Sequence, residues 1–260
     1  MEEAFSKLAV RAAYGWGRDQ NWVDALTFLG KAAEAGEPNA VRQLELVSQA
    51  PIEQLTMPPP VQGISRRSRI GIAKGFAPPG FSEWLIERAL PGLEPAPVND
   101  ASGQAIRSAL TTPFGPQDRD LVLAILQERA ARVIQAPIEF HEPPNVISYE
   151  PGQEFTMHVD FVNPAVPEFQ AELRQMGQRT ATFITYLNDD FEGAETVFPD
   201  IGFSFRGAPG DALIFANVLP DGSPDVATRH CGLPPTRGRK WVLSQWIRAK
   251  PYPYRPEQVA

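Results

Sequence analysis

The chain has 260 residues, 43% of them hydrophobic, which is enough to bury the core of one large domain with a small appendage. Its 24 basic and 31 acidic residues give a net charge of −7, without the basic footprint that nucleic-acid binding requires, so no nucleic-acid partner is expected. A single cysteine, Cys231, excludes an intramolecular disulfide and a thiolate metal cluster, and no stretch approaches the ~18 apolar residues of a membrane span.

The N-terminus, MEEAFSKLAVRAAYGWGRDQ, starts acidic and lacks the apolar run of a signal peptide, so the expected location is cytoplasmic. Residues 1–50 read as helices: Ala-rich helix formers fill DALTFLGKAAEAG, Gly36 and Pro38 stop the helix, and a second segment restarts at Ala40. Ala25, Leu29 and Ala32 or Ala33 fall on one helical face. The segment ALTFLGKAAEAGEPNAVRQLELV resembles a single Sel1-like repeat, although a plain helical hairpin docked on the main domain fits the same residues. One such unit needs a surface to stack on, either the rest of the chain or a protein partner.

A Pro-rich connection at 51–63, PIEQLTMPPPVQG, reads as a semi-rigid spacer and places a boundary near residue 60, dividing 1–60 from 61–260. Beyond it the sequence predicts a strand over Ser68–Ile72, a helix over Phe81–Leu90 and a long helix from Asp118 to Val133. From Asn145 onward short strands dominate, at Val146–Tyr149, Glu154–Asp160, Thr180–Leu187, Glu195–Phe198, Asp211–Phe215, Val226–Gly232 and Lys240–Arg248. Turn signals such as PGQ, GAPG and LPPTRG separate them, which indicates a β-sandwich or barrel within a mainly β, α+β protein.

Three histidines are present: His141, His158 and His230. In the strand EFTMHVDFV, alternation puts Phe155, Met157, Val159 and Phe161 on one face and Thr156, His158 and Asp160 on the other. An imidazole and a carboxylate on one face, joined by His230 from a second strand, make the two-His-one-carboxylate set of non-haem Fe(II) oxygenases. Zinc accepts the same ligands, so a zinc hydrolase stays open at this point. Lys240 opens the strand KWVLSQWI with Val242, Ser244 and Trp246 on its face, where an ammonium can hold the remote carboxylate of a keto-diacid. His141, in IEFHEPPN, has no motif partner and reads as a loop or surface residue, while Cys231 follows a ligand and so points away from the metal.

Taken in order, YEPGQEFTMHVDF, RTATFITYLNDDFEGAETVFP, PGDALIF and ATRHCGLPPTRGRKWVLSQWIR resemble the prolyl 4-hydroxylase family of Fe(II)/2-oxoglutarate oxygenases over residues 67–250. The resemblance implies a double-stranded β-helix (jelly roll) with supporting helices. It implies iron held by His158, Asp160 and His230, and 2-oxoglutarate held by Lys240 with help from Tyr149, Thr196 and Trp246. Arg179 matches an arginine that faces a peptide substrate. Two departures stand out: Ala194 replaces a glycine in the GGET run, and Phe155 replaces a tyrosine near the iron, which puts the usual prolyl specificity in doubt.

The implied reaction consumes 2-oxoglutarate and O2, with ascorbate as an auxiliary, and hydroxylates a C–H bond with release of succinate and CO2. A prolyl residue of a peptide or protein is the expected target; a free amino acid or small metabolite is the alternative. A jelly roll that only binds a partner is a further alternative, against which the intact ligand set and Lys240 speak. The connections Asn163–Gln178 and Asn217–Asp225 are expected to close over the site.

Overall fold

The computed structural model describes residues 2–65, 68–96, 98–99 and 105–254. Three helices open it: α1 (Glu2–Tyr14), α2 (Trp22–Glu34) and α3 (Pro38–Val47). Asn21 caps α2 by accepting from the Asp24 N–H, which satisfies one of the orphan donors of the first turn. Ala9, Ala12, Ala25, Ala32 and Ala40 are fully buried, and their small side chains let the three helices pack closely.

The Pro-rich connection is pinned rather than free. It contains a short helix, α4 (Ile52–Leu55), whose Leu55 is buried and whose carbonyl accepts from the Arg129 guanidinium. Val61–Ser65 is already the edge strand of the main sheet. Helices α5 (Phe81–Ala89) and α6 (Leu121–Ile134) follow. Apolar residues ring the first half of α6, buried at every position from Leu121 to Gln127, because it packs in one hydrophobic cluster with residues of the N-terminal helices and with Val146, Phe183, Trp241, Leu243 and Ile247 of the main sheet. A polar thread runs through this layer. The Tyr14 hydroxyl donates to Gln127 Oε1 (2.9 Å), Gln127 Nε2 donates to Gln245 Oε1 (2.6 Å), and Gln245 Nε2 donates to the carbonyls of Glu142 and Trp246.

The main sheet is antiparallel and eight-stranded, in the order 61–65, 70–73, 212–216, 179–186, 240–248, 145–149, 110–113 and 94–95. A six-stranded antiparallel sheet, ordered 203–205, 196–198, 230–232, 155–158, 105–107 and 98–99, faces it. Between the two sheets lies a second cluster that includes Ile72, Tyr149, Tyr186, Phe198, Phe215 and Val242. The result is a double-stranded β-helix whose outer helices cover the main sheet. Lys240–Arg248 is its central strand: Trp241, Leu243 and Ile247 join the helix-side core, and the alternate residues face the smaller sheet.

Several elements differ from the sequence expectation. The segment 154–160 is strand only over Phe155–His158, and 226–232 is a 3-10 turn over Val226–Thr228 followed by the strand His230–Gly232. The Asp225 carboxylate accepts from the Ala227 N–H and caps that turn. The expected closing loop 163–178 is structured, with a short helix α7 (Gln170–Met176) and a Gln178 side chain that clamps both the N–H and the carbonyl of Val162. His141 is not a surface residue. It is fully buried, bridged to Ile247, with neither ring nitrogen hydrogen-bonded, and burial depresses its pKa to about 3 with Arg119 assisting, so the ring is neutral.

Candidate active site

His158 and His230 sit directly opposite one another on neighbouring antiparallel strands, so their rings meet at 4.2 Å between centroids. Asp160 follows just beyond the end of the first strand and is buried against both. His158 Nε2 lies 3.5 Å from Asp160 Oδ1 and His230 Nε2 lies 3.9 Å from Asp160 Oδ2. One potential ligand atom from each residue falls within 4.8 Å of the others.

The backbone orients both rings in the same way. His158 Nδ1 is 2.8 Å from the Thr156 carbonyl and His230 Nδ1 is 2.9 Å from the Thr228 carbonyl. A carbonyl accepts only, so each Nδ1 is the donor of its contact and each Nε2 is left facing the shared space. Burial opposes ionisation of Asp160, but His230, then His158, then Arg179 outweigh it and hold the carboxyl well below the usual range. Burial, reinforced by His158 and Lys240, lowers the His230 pKa to about 4. Two imidazoles and one carboxylate fit a divalent first-row metal, and among the described residues no fourth histidine, cysteine or carboxylate joins the group. Such a donor set leaves coordination positions free for co-substrate, as Fe(II) oxygenases require.

The same pocket is lined by Tyr149, Phe155, Thr196, Lys240, Ser244 and Trp246. Lys240 is 3% exposed, and burial drives its pKa down to about 7, with Glu195 partly opposing. Its ammonium donates to the Ala194 carbonyl at 2.8 Å and sits over the Tyr186 and Tyr149 rings at 5.0 and 5.8 Å. Ala194 adopts φ 62°, a left-handed conformation that turns its carbonyl to the lysine where a glycine would be less strained. Among the described residues no carboxylate reaches ion-pairing distance of this ammonium. A buried cation so placed is matched to an incoming carboxylate, which is the fit expected of the remote end of 2-oxoglutarate. The Thr196 hydroxyl is 2.9 Å from that of Tyr186.

Residues 144–248 match the 2OG-Fe(II) oxygenase superfamily. The Arabidopsis thaliana protein named Probable prolyl 4-hydroxylase 9 is 30% identical, with the match covering 80% of this chain and 82% of that protein. Prolyl 4-hydroxylase 1 of the same plant is 31% identical over 72% of this chain and 71% of its own length. The chain belongs to the prolyl 4-hydroxylase family of 2OG-Fe(II) oxygenases. The 2OG complex of the viral collagen prolyl hydroxylase vCPH from Paramecium Bursaria Chlorella virus-1 is also similar, at 26% identity and a TM-score of 0.56, covering 72% of this chain and 99% of that one. The chemistry of this oxygenase family therefore uses Fe(II), 2-oxoglutarate and O2.

The oxygenase departs from the alternation read in its sequence at Phe155. His158 pairs with His230 but Phe155 pairs with Gly232, so three steps on one strand meet two on the other. That bulge turns Phe155 into the pocket, where its ring stacks on His158 at 3.4 Å and 9°. Met157, expected on a core-facing row, is 41% exposed. Arg179 does not line the pocket. Its guanidinium lies 4.0 Å from the centroid of Trp246 and makes two hydrogen bonds to the Glu142 carboxylate (2.7 and 2.9 Å). Cys231 is half-buried and outside the pocket lining.

Three supporting residues escaped the sequence reading. Arg107 spans Phe155 from beyond, 5.5 Å from its centroid, and is anchored on the Ala96 carbonyl. Thr182 donates to Asp160 Oδ2 (2.8 Å), and Asn217 Nδ2 donates in turn to the Thr182 hydroxyl (2.9 Å). The alternation Thr180, Thr182, Ile184, Tyr186 in RTATFITY was the available signal, since it sets Thr182 on one face with Ile184 of the pocket lining. Thr182→Val keeps the shape and removes the donor. It is expected to weaken metal binding about 10- to 100-fold, the range for lost outer-shell hydrogen bonds, as checked by Co(II) titration in the visible.

Proposed function

We propose that this oxygenase hydroxylates prolyl residues of a peptide or protein in the cytoplasm, with ascorbate as an auxiliary reductant. The prolyl hydroxylases among its relatives support the substrate class. The observation that carries it is the stack of Arg179 on Trp246, because Trp246 forms a wall of the triad pocket. A prolyl residue has no N–H, so it is recognised through carbonyl acceptors and ring faces. Arg179 commits two N–H groups to Glu142 and lies over Trp246, so it holds in place the aromatic wall that a prolyl ring face would meet.

His158, Asp160 and His230 would hold the iron. Bound there, Fe(II) and 2-oxoglutarate supply oxidative chemistry that with O2 yields succinate, CO2 and a hydroxylated C–H bond. Lys240 neutralises the remote carboxylate of the co-substrate, and the neighbouring Tyr149 hydroxyl, pushed up to about 12 by burial, remains a neutral donor. Thr182 and the two backbone carbonyls fix the ligand orientations before metal arrives. Ile147, Phe155, Ile184 and Val242 form apolar walls that exclude water.

Mass spectrometry of proline-containing peptides incubated with the enzyme, Fe(II) and 2-oxoglutarate tests the proposal, with His158→Ala as the blank. The expected result is one added oxygen on a prolyl ring, with stoichiometric succinate. Oxygen incorporation into free amino acids with none into any prolyl peptide would overturn it.

A further inference from the structure

Away from the iron pocket, a cavity of about 340 Å³ opens between the end of α1, the start of α6 and the C-terminal segment. Tyr14, Trp16, Arg119, Gln127, Glu139 and Tyr254 line it, and none of them contributes to the triad pocket. Arg119 is only 6% exposed. Its Nη1 donates to Gln127 Oε1 (2.5 Å) and its Nη2 to the Tyr254 hydroxyl (2.6 Å), both neutral groups, and its Nε–H has no partner.

Among the described residues no carboxylate comes within ion-pairing distance of this guanidinium. The adjacent Asp120 is engaged by the Trp84 indole, by Arg88 and by the Leu123 N–H. His141 is neutral, as described above, and burial raises the Tyr14 hydroxyl above its ordinary pKa, so neither supplies an anion. Two tyrosine rings, Tyr14 and Tyr254, each lie 5.7 Å from the guanidinium carbon. Ring faces offset only part of the cost of burying a full charge, and an oxyanion offsets more.

The walls select the rest of the ligand. Tyr14 and Trp16 stack at 4.7 Å and 21°, presenting flat aromatic surface beside the arginine fork. A guanidinium matches a carboxylate in its own plane, and an aromatic wall favours a flat ring attached to it. Glu139, exposed at the rim, repels a second negative charge and so disfavours dianions. We propose that this cavity is a binding site for a small aromatic monocarboxylate, held by Arg119 against Tyr14, Trp16 and Tyr254.

Isothermal titration of the full chain with benzoate tests this, run in parallel on wild type and Lys240→Ala, with inorganic phosphate and 2-oxoglutarate as comparison probes. Saturable benzoate binding is expected in both proteins. Arg119→Gln should weaken it at least tenfold, the scale of a lost charge-assisted hydrogen bond, and Glu139→Gln should tighten it by roughly twofold to fivefold as a rim charge is removed. Tyr14→Leu, which leaves the arginine in place, should also weaken it, and decides the matter if Arg119→Gln does not fold. Absence of saturation, loss of binding in Lys240→Ala, indifference to Arg119→Gln and Tyr14→Leu, or equal affinity for phosphate would each overturn the proposal.

Discussion

Lys240→Met raises the Michaelis constant for 2-oxoglutarate by about 10- to 150-fold, the equivalent of one buried hydrogen bond to a charged group. The succinate-release assay that measures it also reads kcat, which should fall less, because the lysine holds the end of the co-substrate remote from the reacting carbon. A second effect accompanies it in the ligand-free protein. The Lys240 pKa stands near 7, pushed down by burial, against about 10.4 for an unfolded lysine. Between those values the unfolded chain binds more protons, so wild-type stability rises with pH across that window, and the cost of the buried charge is fully present below pH 7. The methionine variant should lack that slope and be the more stable protein at pH 6, as thermal melts at several pH values will show. The same linkage makes 2-oxoglutarate binding take up a proton at pH 8, because the ammonium form is the one the carboxylate pairs with. Calorimetry in buffers of different ionisation enthalpy detects that proton directly.

Asp160→Ala removes the one anionic donor of the triad and is expected to cost several kcal/mol of metal binding, so that bound iron becomes substoichiometric and succinate formation falls by about 10³-fold or more. Asp160→Asn separates charge from shape, since its amide oxygen can still accept from Thr182 while the negative charge is gone. If the carboxylate charge is what holds the metal, both variants lose iron and the asparagine variant differs mainly in keeping the fold around Thr182 unchanged. Retention of stoichiometric iron and full turnover in Asp160→Ala, by metal analysis and coupled assay, would remove the triad from the mechanism.

The legibility of these residues follows the regularity of their strands. Lys240–Arg248 pairs with Asn145–Tyr149 through Ser244 and with Arg179–Tyr186 from Val242 on, so alternation holds in register from Lys240 to Ile247 and the sequence shows which residues face the pocket. Phe155–His158 is four residues long and bulged, so the same rule mislaid Phe155 and Met157 there. His141 makes a single bridge outside any strand, to Ile247, and sits among prolines, a setting with no periodic signal of its burial. Thr182, Asn217 and Arg107 reach the site only through another side chain, a relation that spacing along the chain does not encode. The jelly roll itself was readable because turn residues mark its strand ends, whereas short strands such as Phe203–Phe205 and Pro235–Arg237 exist through pairing rather than propensity.

The polar thread from Tyr14 through Gln127 and Gln245 bears on how this chain can be cut or rebuilt. A truncation that begins at the first strand would expose the apolar flank of α6 to water and leave Gln127 short of one donor, while its partner Gln245 holds the backbone of the very tryptophan that walls the iron pocket. The first three helices therefore act as a keystone for the catalytic half, and transplanting that half without them would yield a looser enzyme rather than a minimal one.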